Sequence, residues 1–164
     1  MILQQRSMGE RGLRKEIVMS QTATVSSKLS NTASTVGAIQ SFAPLAGRLL
    51  IAPLFLLSGI SKLSAPAATI GMIASSGLPL APLGFAAAIL VEVIGSIALI
   101  VGYRTRLVAA VMALFTLATA LAFHANLADQ NQFFHFFKNI SIVGGLLQIV
   151  AFGAGRFSLD ARTH

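Results

Sequence analysis

Residues 83–101 read LGFAAAILVEVIGSIALIV, nineteen residues with a single charge, and GYRTR follows at 102–106. A helix rises about 1.5 Å per residue, so this run is long enough to cross a hydrocarbon layer about 30 Å thick. Its one charged residue, Glu92, stands near the middle, where an ionised carboxylate costs at least about 2.5 kcal/mol. A carboxylate at that depth needs a partner or a proton.

Three further runs flank this one. Residues 45–61 form a first span, with Arg48 near one end, where a long side chain can snorkel to phosphates, and Pro53 as a kink. Residues 107–123 form a third, ending at His124, and residues 136–152 a fourth, with Lys138 near its start. Between the first and second spans, Pro66, Gly71, Gly77, Pro79 and Pro82 rule out another crossing. Residues 67–75 are expected to form a short interfacial helix, closed by the turn at 76–79. A polar loop is expected through residues 129–132. The fold class is therefore all-α, a four-helix transmembrane bundle.

Composition agrees. The chain of 164 residues is 55% hydrophobic and 10% charged, with a mean hydropathy of +0.79. Soluble domains carry about 25% charged residues. A soluble helical bundle would need a polar face on each helix, and none of these runs has one. With no cysteine, disulfides, thiolate catalysis, iron–sulfur clusters and thiol-ligated zinc are excluded for this chain alone.

Three regions follow from the pattern: a disordered tail at 1–42, a membrane domain at 43–156 and a short tail at 157–164. The first is rich in Ser and Thr without apolar periodicity, and no apolar core follows Arg14 and Lys15, so it is not read as a signal peptide. Arg14-Lys15-Glu16 is encodable as AGG-AAG-GAA, a purine-rich run like a ribosome-binding site, which makes Met19 a candidate start. Lys and Arg cluster in the N-terminal flank, the 102–106 connection and the C-terminal tail, which places both termini on the cytoplasmic side. The net charge of +7 shows no basic stripe or stacking platform, so the partner is a bilayer and not nucleic acid.

Polar groups in or beside the spans mark the candidate site. Glu92 is the centre, with Lys62, His124 and Lys138 as the cations toward the outer side. Ser58 shares a helical face with Lys62. Lys138, Ser141, Gly145 and Gln148 share another, Glu92, Gly95, Ser96 and Leu99 a third, and Thr116, Ala120 and His124 a fourth. Four such faces are expected to converge on the bundle interior, with Thr116 and Thr119 turned inward. His124 and His135 lack a carboxylate set, so no metal site is assigned. No phosphate loop and no facing His pair for a b-type haem occurs.

The sequence resembles the DoxX family of small bacterial membrane proteins over residues 45–160. The matching residues are Leu57-Ser58-Gly59-Ile60-Ser61-Lys62-Leu63, Glu92 with Gly95, Gly102 followed by Arg104 and Arg106, and His124. Phe137-Lys138-Asn139-Ile140 followed by Gly144-Gly145-Leu146-Leu147, and the tail Gly153-Ala154-Gly155-Arg156-Phe157-Ser158-Leu159-Asp160, complete the pattern. The resemblance implies a four-helix bundle. It also points toward quinol oxidation, quinone or catechol resistance, or oxidative-stress complexes, hence a redox accessory subunit without independent catalysis. On that reading Ser58, Lys62, Glu92, His124, Lys138 and Asn139 would line a pocket for a quinone-like headgroup. There is no intrinsic redox cofactor, and electrons would come from a partner or from the quinone itself. The alternatives are a non-catalytic assembly subunit, with protein partners or a second copy, and a small-solute carrier.

Overall fold

A computed structural model of the protein describes the backbone of residues 2–162 and the side chains of residues 19–162 except residue 23. Arg14, Lys15 and Glu16, on which the reading of the N-terminus rests, have side chains outside the described residues, and His164 lies outside them altogether. The chain divides into two compact units, Met1–Gln40 and Ser41–His164.

Among the described residues there are five helices and a terminal 3-10 turn. They are α1 (Ile2–Ser64), α2 (Pro66–Ser75), α3 (Ala81–Val101), α4 (Thr105–Phe123), α5 (Gln130–Phe152) and the turn Asp160–Arg162. Four of them are long and apolar enough to cross a membrane, counting Met19–Ser64 of α1 together with α3, α4 and α5. The expected four spans and the short helix between the first two are all present.

The stretch read as a structureless tail is helical in its backbone. Its described side chains up to residue 40 are exposed, and Thr24, Ser27, Ser30, Thr32, Ser34 and Thr35 turn their hydroxyls back onto carbonyls three or four residues earlier. No described side chain between residues 19 and 40 is buried.

Within Ser41–His164 the core is small and made of interlocking apolar residues: Ala52 and Phe55 from α1, Leu99 from α3, Ala109, Met112 and Ala113 from α4, and Leu146 and Ile149 from α5. Small residues set the approach of the helices. A Cβ on Gly145 would lie 3.1 Å from Ile51 Cδ1, and one on Gly95 would lie 3.4 Å from the Met112 side chain. Short helix α2 turns Thr69 and Ile73 inward, and Ile73 packs beside Gly84 at the start of α3. The outward Leu, Ile, Val and Phe side chains face where lipid would lie, as the solvent of such a bundle demands.

Three local expectations need correction. Arg48 does not snorkel. It is fully buried, and its guanidinium donates to the carbonyls of Leu99 at 2.9 Å, Ile100 at 3.0 Å, Phe157 at 2.7 Å and Pro44 at 3.3 Å. At the end of α3 the carbonyls of Leu99 and Ile100 lie beyond the last intrahelical amides, and the five-donor guanidinium supplies what they lack. Residues 130–132 are not loop. Asp129 accepts a bond from the Gln132 amide at 2.9 Å, so α5 begins at Gln130 and carries His135 on its first turns. The α5 face is also turned from the one expected. Leu146 and Ile149 are buried, whereas Ser141 and Gln148 are exposed, because the apolar row fills the core and leaves the polar row outside.

Candidate functional site

Glu92 owes its position to an irregular turn. Residues Leu90–Ile94 of α3 form a π-helical turn, in which the Gly95 amide donates to the Leu90 carbonyl five residues back. The Ser96 hydroxyl donates to the Glu92 carbonyl and so holds the widened turn closed. Such one-turn insertions concentrate at functional sites, because they re-aim a single side chain without ending the helix.

Helix α1 meets this turn through Gly59. A Cβ there would lie 2.6 Å from Val93 Cγ2 and 3.1 Å from Glu92 Cβ, so only glycine permits the contact without a shift. Three residues further along α1, Lys62 reaches the carboxylate. Its Nζ lies 3.0 Å from Glu92 Oε1 and 2.9 Å from Oε2, and it donates to Ser58 Oγ at 2.7 Å. The pair is nearly dry, with the Glu92 side chain 7% exposed and that of Lys62 23%. Two oxygens sharing one ammonium, plus a hydroxyl for its remaining hydrogen, is the geometry that offsets the desolvation of both charges.

The pair forms part of the wall of a cavity of about 490 Å³. Ser58, Lys62, Glu92, His124, Lys138 and Asn139, the six candidates from the sequence, all line it. Thr116 and Thr119 line it too, as their expected inward face requires. The rest of the wall is mainly apolar, with Leu54, Phe55, Ile73 and Ile142 among the lining residues. Pockets of this size and mixture suit a compact, mostly apolar molecule with a few hydrogen-bonding atoms.

His124 and Lys138 do not join Glu92. His124 Nδ1 lies 2.7 Å from Gln132 Oε1, and its ring stacks on His135 with centroids 5.0 Å apart and planes at 23°. Lys138 Nζ lies 3.1 Å from His135 Nδ1. An ammonium only donates, so this ring nitrogen accepts. Gln132 and His135 are partners that the sequence reading did not supply. Their spacing along the start of α5 becomes visible only once Asp129 is seen as a cap.

At the opposite end of the bundle, Arg48 meets the α3–α4 turn. Gly102 has φ +73°, and a Cβ there would stand 2.4 Å from Ser158 Cβ and 2.6 Å from Arg48 Nη1. Asp160 accepts from the Arg104 amide at 2.7 Å and the Thr105 amide at 2.9 Å, capping α4. Gly102, the two arginines and the tail through Asp160 thus form one latch.

The DoxX family model matches residues 43–125, slightly more than half of the chain, and these residues include Arg48, Gly59, Lys62, Glu92, Gly102 and His124. The chain belongs to the DoxX family. Two Escherichia coli K12 proteins resemble it along most of their length. Inner membrane protein YqjF is 36% identical over 118 residues, 71% of this chain and 88% of that protein. Inner membrane protein YphA is 30% identical over 131 residues, 77% of this chain and 94% of that protein. No solved structure matches. Both DoxX relatives are named for the inner membrane, in keeping with the four apolar helices here.

Proposed function

We propose that the cavity binds the ring of a quinone-class molecule and that the protein serves as a redox accessory subunit of the bacterial inner membrane, with both termini cytoplasmic. The observation that carries this reading is the Lys62–Glu92 pair in the wall of a largely apolar cavity, with further donors at Lys138 and Asn139. The residues fit such a ring. Apolar side chains would hold its faces, and ammonium or amide hydrogens would meet its carbonyl oxygens. A quinone supplies two-electron chemistry, and this cysteine-free chain supplies binding and orientation. Electrons then come from a partner protein or from the quinone pool.

The test is equilibrium dialysis of 2-methyl-1,4-naphthoquinone against the protein in nanodiscs, with empty discs subtracted. Saturable one-to-one binding is expected, abolished by Ala122→Phe, which fills the cavity from an exposed lining position without touching a polar group. Uptake equal to that of empty discs, or undisturbed by the substitution, overturns the reading. The orientation rests on the arginines at 48, 104, 106 and 156, which gather at one end of the bundle. A reporter inserted at Asn126 should lie outside and one at the C-terminus inside.

A second reading, as an assembly subunit, draws on α5. Ser141, Gly144 and Gln148 are exposed along one face of a membrane-length helix. Small and polar residues in such a row suit a helix partner better than lipid. Since the chain has no cysteine, a single Gly144→Cys would report a second copy by disulfide formation, and its absence in the membrane would count against self-association through this face.

A further inference from the structure

Charge bookkeeping at the wall of the cavity singles out one side chain. The unit Ser41–His164 has three acidic side chains, Glu92, Asp129 and Asp160. Glu92 takes both its oxygens to Lys62, Asp129 caps α5 at the Gln132 amide, and Asp160 caps α4 at Arg104 and Thr105. Lys62 and Glu92 cancel, so the cavity keeps the charge of Lys138. Among the described residues Lys138 has no carboxylate within ion-pair distance, and its one hydrogen bond goes to the neutral acceptor His135 Nδ1. The other polar groups on that wall add no negative charge: Asn139 is an amide, and His124 is engaged with Gln132. Where this cation borders the mainly apolar cavity, attraction to a ligand that brings one negative charge is screened less than in water.

We infer that the cavity selects a lipophilic monoanion, an apolar ring or chain with one ionised oxygen, and that Lys138 is its counter-charge. The neutral Lys62–Glu92 pair then marks the wall that accepts uncharged polar atoms, and Lys138 the wall that accepts the anion. This rests on the cavity being a ligand site, and it adds the charge of the ligand to the shape argued above.

A matched pair of probes separates the two claims. The first, 2-methyl-1,4-naphthoquinone, is neutral; the second, 2-hydroxy-1,4-naphthoquinone, has the same rings and is ionised at neutral pH. In nanodiscs of uncharged lipid the anion is expected to bind about tenfold more tightly than the neutral ring, the effect of one charge-assisted hydrogen bond. Lys138→Gln, at an exposed position, keeps a hydrogen-bond donor for a ring carbonyl and removes only the charge, so it should bring the affinities for the two probes to within about twofold of each other. Equal binding of both probes to the wild type overturns the anion preference and leaves the cavity reading standing. Binding of neither overturns both. A preference that survives Lys138→Gln also overturns the inference, since the charge would then come from elsewhere.

Discussion

The two ends of the bundle solve the problem of a charged side chain among apolar helices in opposite ways. At one end Arg48 is fully buried and spends its guanidinium on backbone carbonyls of α3 and of the C-terminal tail, while Gly102 leaves no room for a Cβ. At the other, Lys62 meets one carboxylate and one hydroxyl, and a cavity of about 490 Å³ lies alongside with Lys138 on its wall. The first end is a latch in which Arg48 and Asp160 spend their charge on the backbone. The second spends its charge on side chains, Lys62 on Glu92 and Ser58, and leaves Lys138 on the wall of a mainly apolar cavity. Charge in a membrane protein therefore does not by itself mark function; charge beside a cavity, with its partners counted, does so far better.

Breaking the latch is expected to have the largest effect. Gly102→Val combines a left-handed φ of +73° with a Cβ that would sit 2.4 Å from Ser158 Cβ, and should abolish accumulation of folded protein in the membrane. Arg48→Leu leaves the carbonyls of Leu99, Ile100 and Phe157 without donors. At about 1.5–3 kcal/mol for each charged hydrogen bond, the loss should reach roughly 5 kcal/mol, read as a collapse of the thermal transition in mild detergent. A variant that melts like wild type would show that the latch is ornamental.

The middle of the range lies at the ion pair. Lys62→Met strands the Glu92 carboxylate in a site where its side chain is 7% exposed, and should cost about 3–5 kcal/mol. The double variant Lys62→Met/Glu92→Leu removes both charges and should recover most of that stability, because a dry apolar pair replaces a desolvated ionic one. If the double variant is as unstable as the single one, the pair holds the π turn and the contrast between the two ends fails. Asp160→Asn removes a charged cap from α4 and should cost about 1 kcal/mol by the same melt.

How much of this was legible in the sequence follows the same division. The spans, the mid-membrane Glu92 and its need for a cation could be read directly, because hydropathy and the cost of a bare charge are local quantities. Lys62 was among the three named partners for it. Arg48 was misread because its position near a span end fits snorkelling equally well; only the path of residues 153–160 back over the α3–α4 turn supplies the carbonyl that holds it inside. The α5 face was misassigned for a related reason. Lys138, Ser141, Gly145 and Gln148 do share a helical row, but the row Leu146–Ile149 packs better, and burial in lipid does not force polar groups inward when small ones can be tolerated outside. Gly59 needed the π turn opposite it to acquire a meaning, and π turns leave no clear mark in sequence.

The smallest expected effect is also the most discriminating. Lys138→Gln should shift the melting of the protein without ligand by less than about 0.5 kcal/mol, since the residue is exposed and its one partner is another exposed-end side chain, His135. Arg48 and Lys138 are both cations near helix ends in the sequence, and hydropathy cannot tell them apart. Their partners can: the guanidinium has four carbonyls from three parts of the chain, the ammonium one ring nitrogen three residues away. A side chain retained for the fold should show its cost when the protein is alone, and one retained for a ligand should show it only when the ligand is present. A large loss of stability on Lys138→Gln, of the order seen for Arg48→Leu, would place both cations in the same structural class and remove the asymmetry between the two ends. A silent substitution in the melt, together with a changed affinity for the ionised ring, would locate the selective pressure on Lys138 in the cavity.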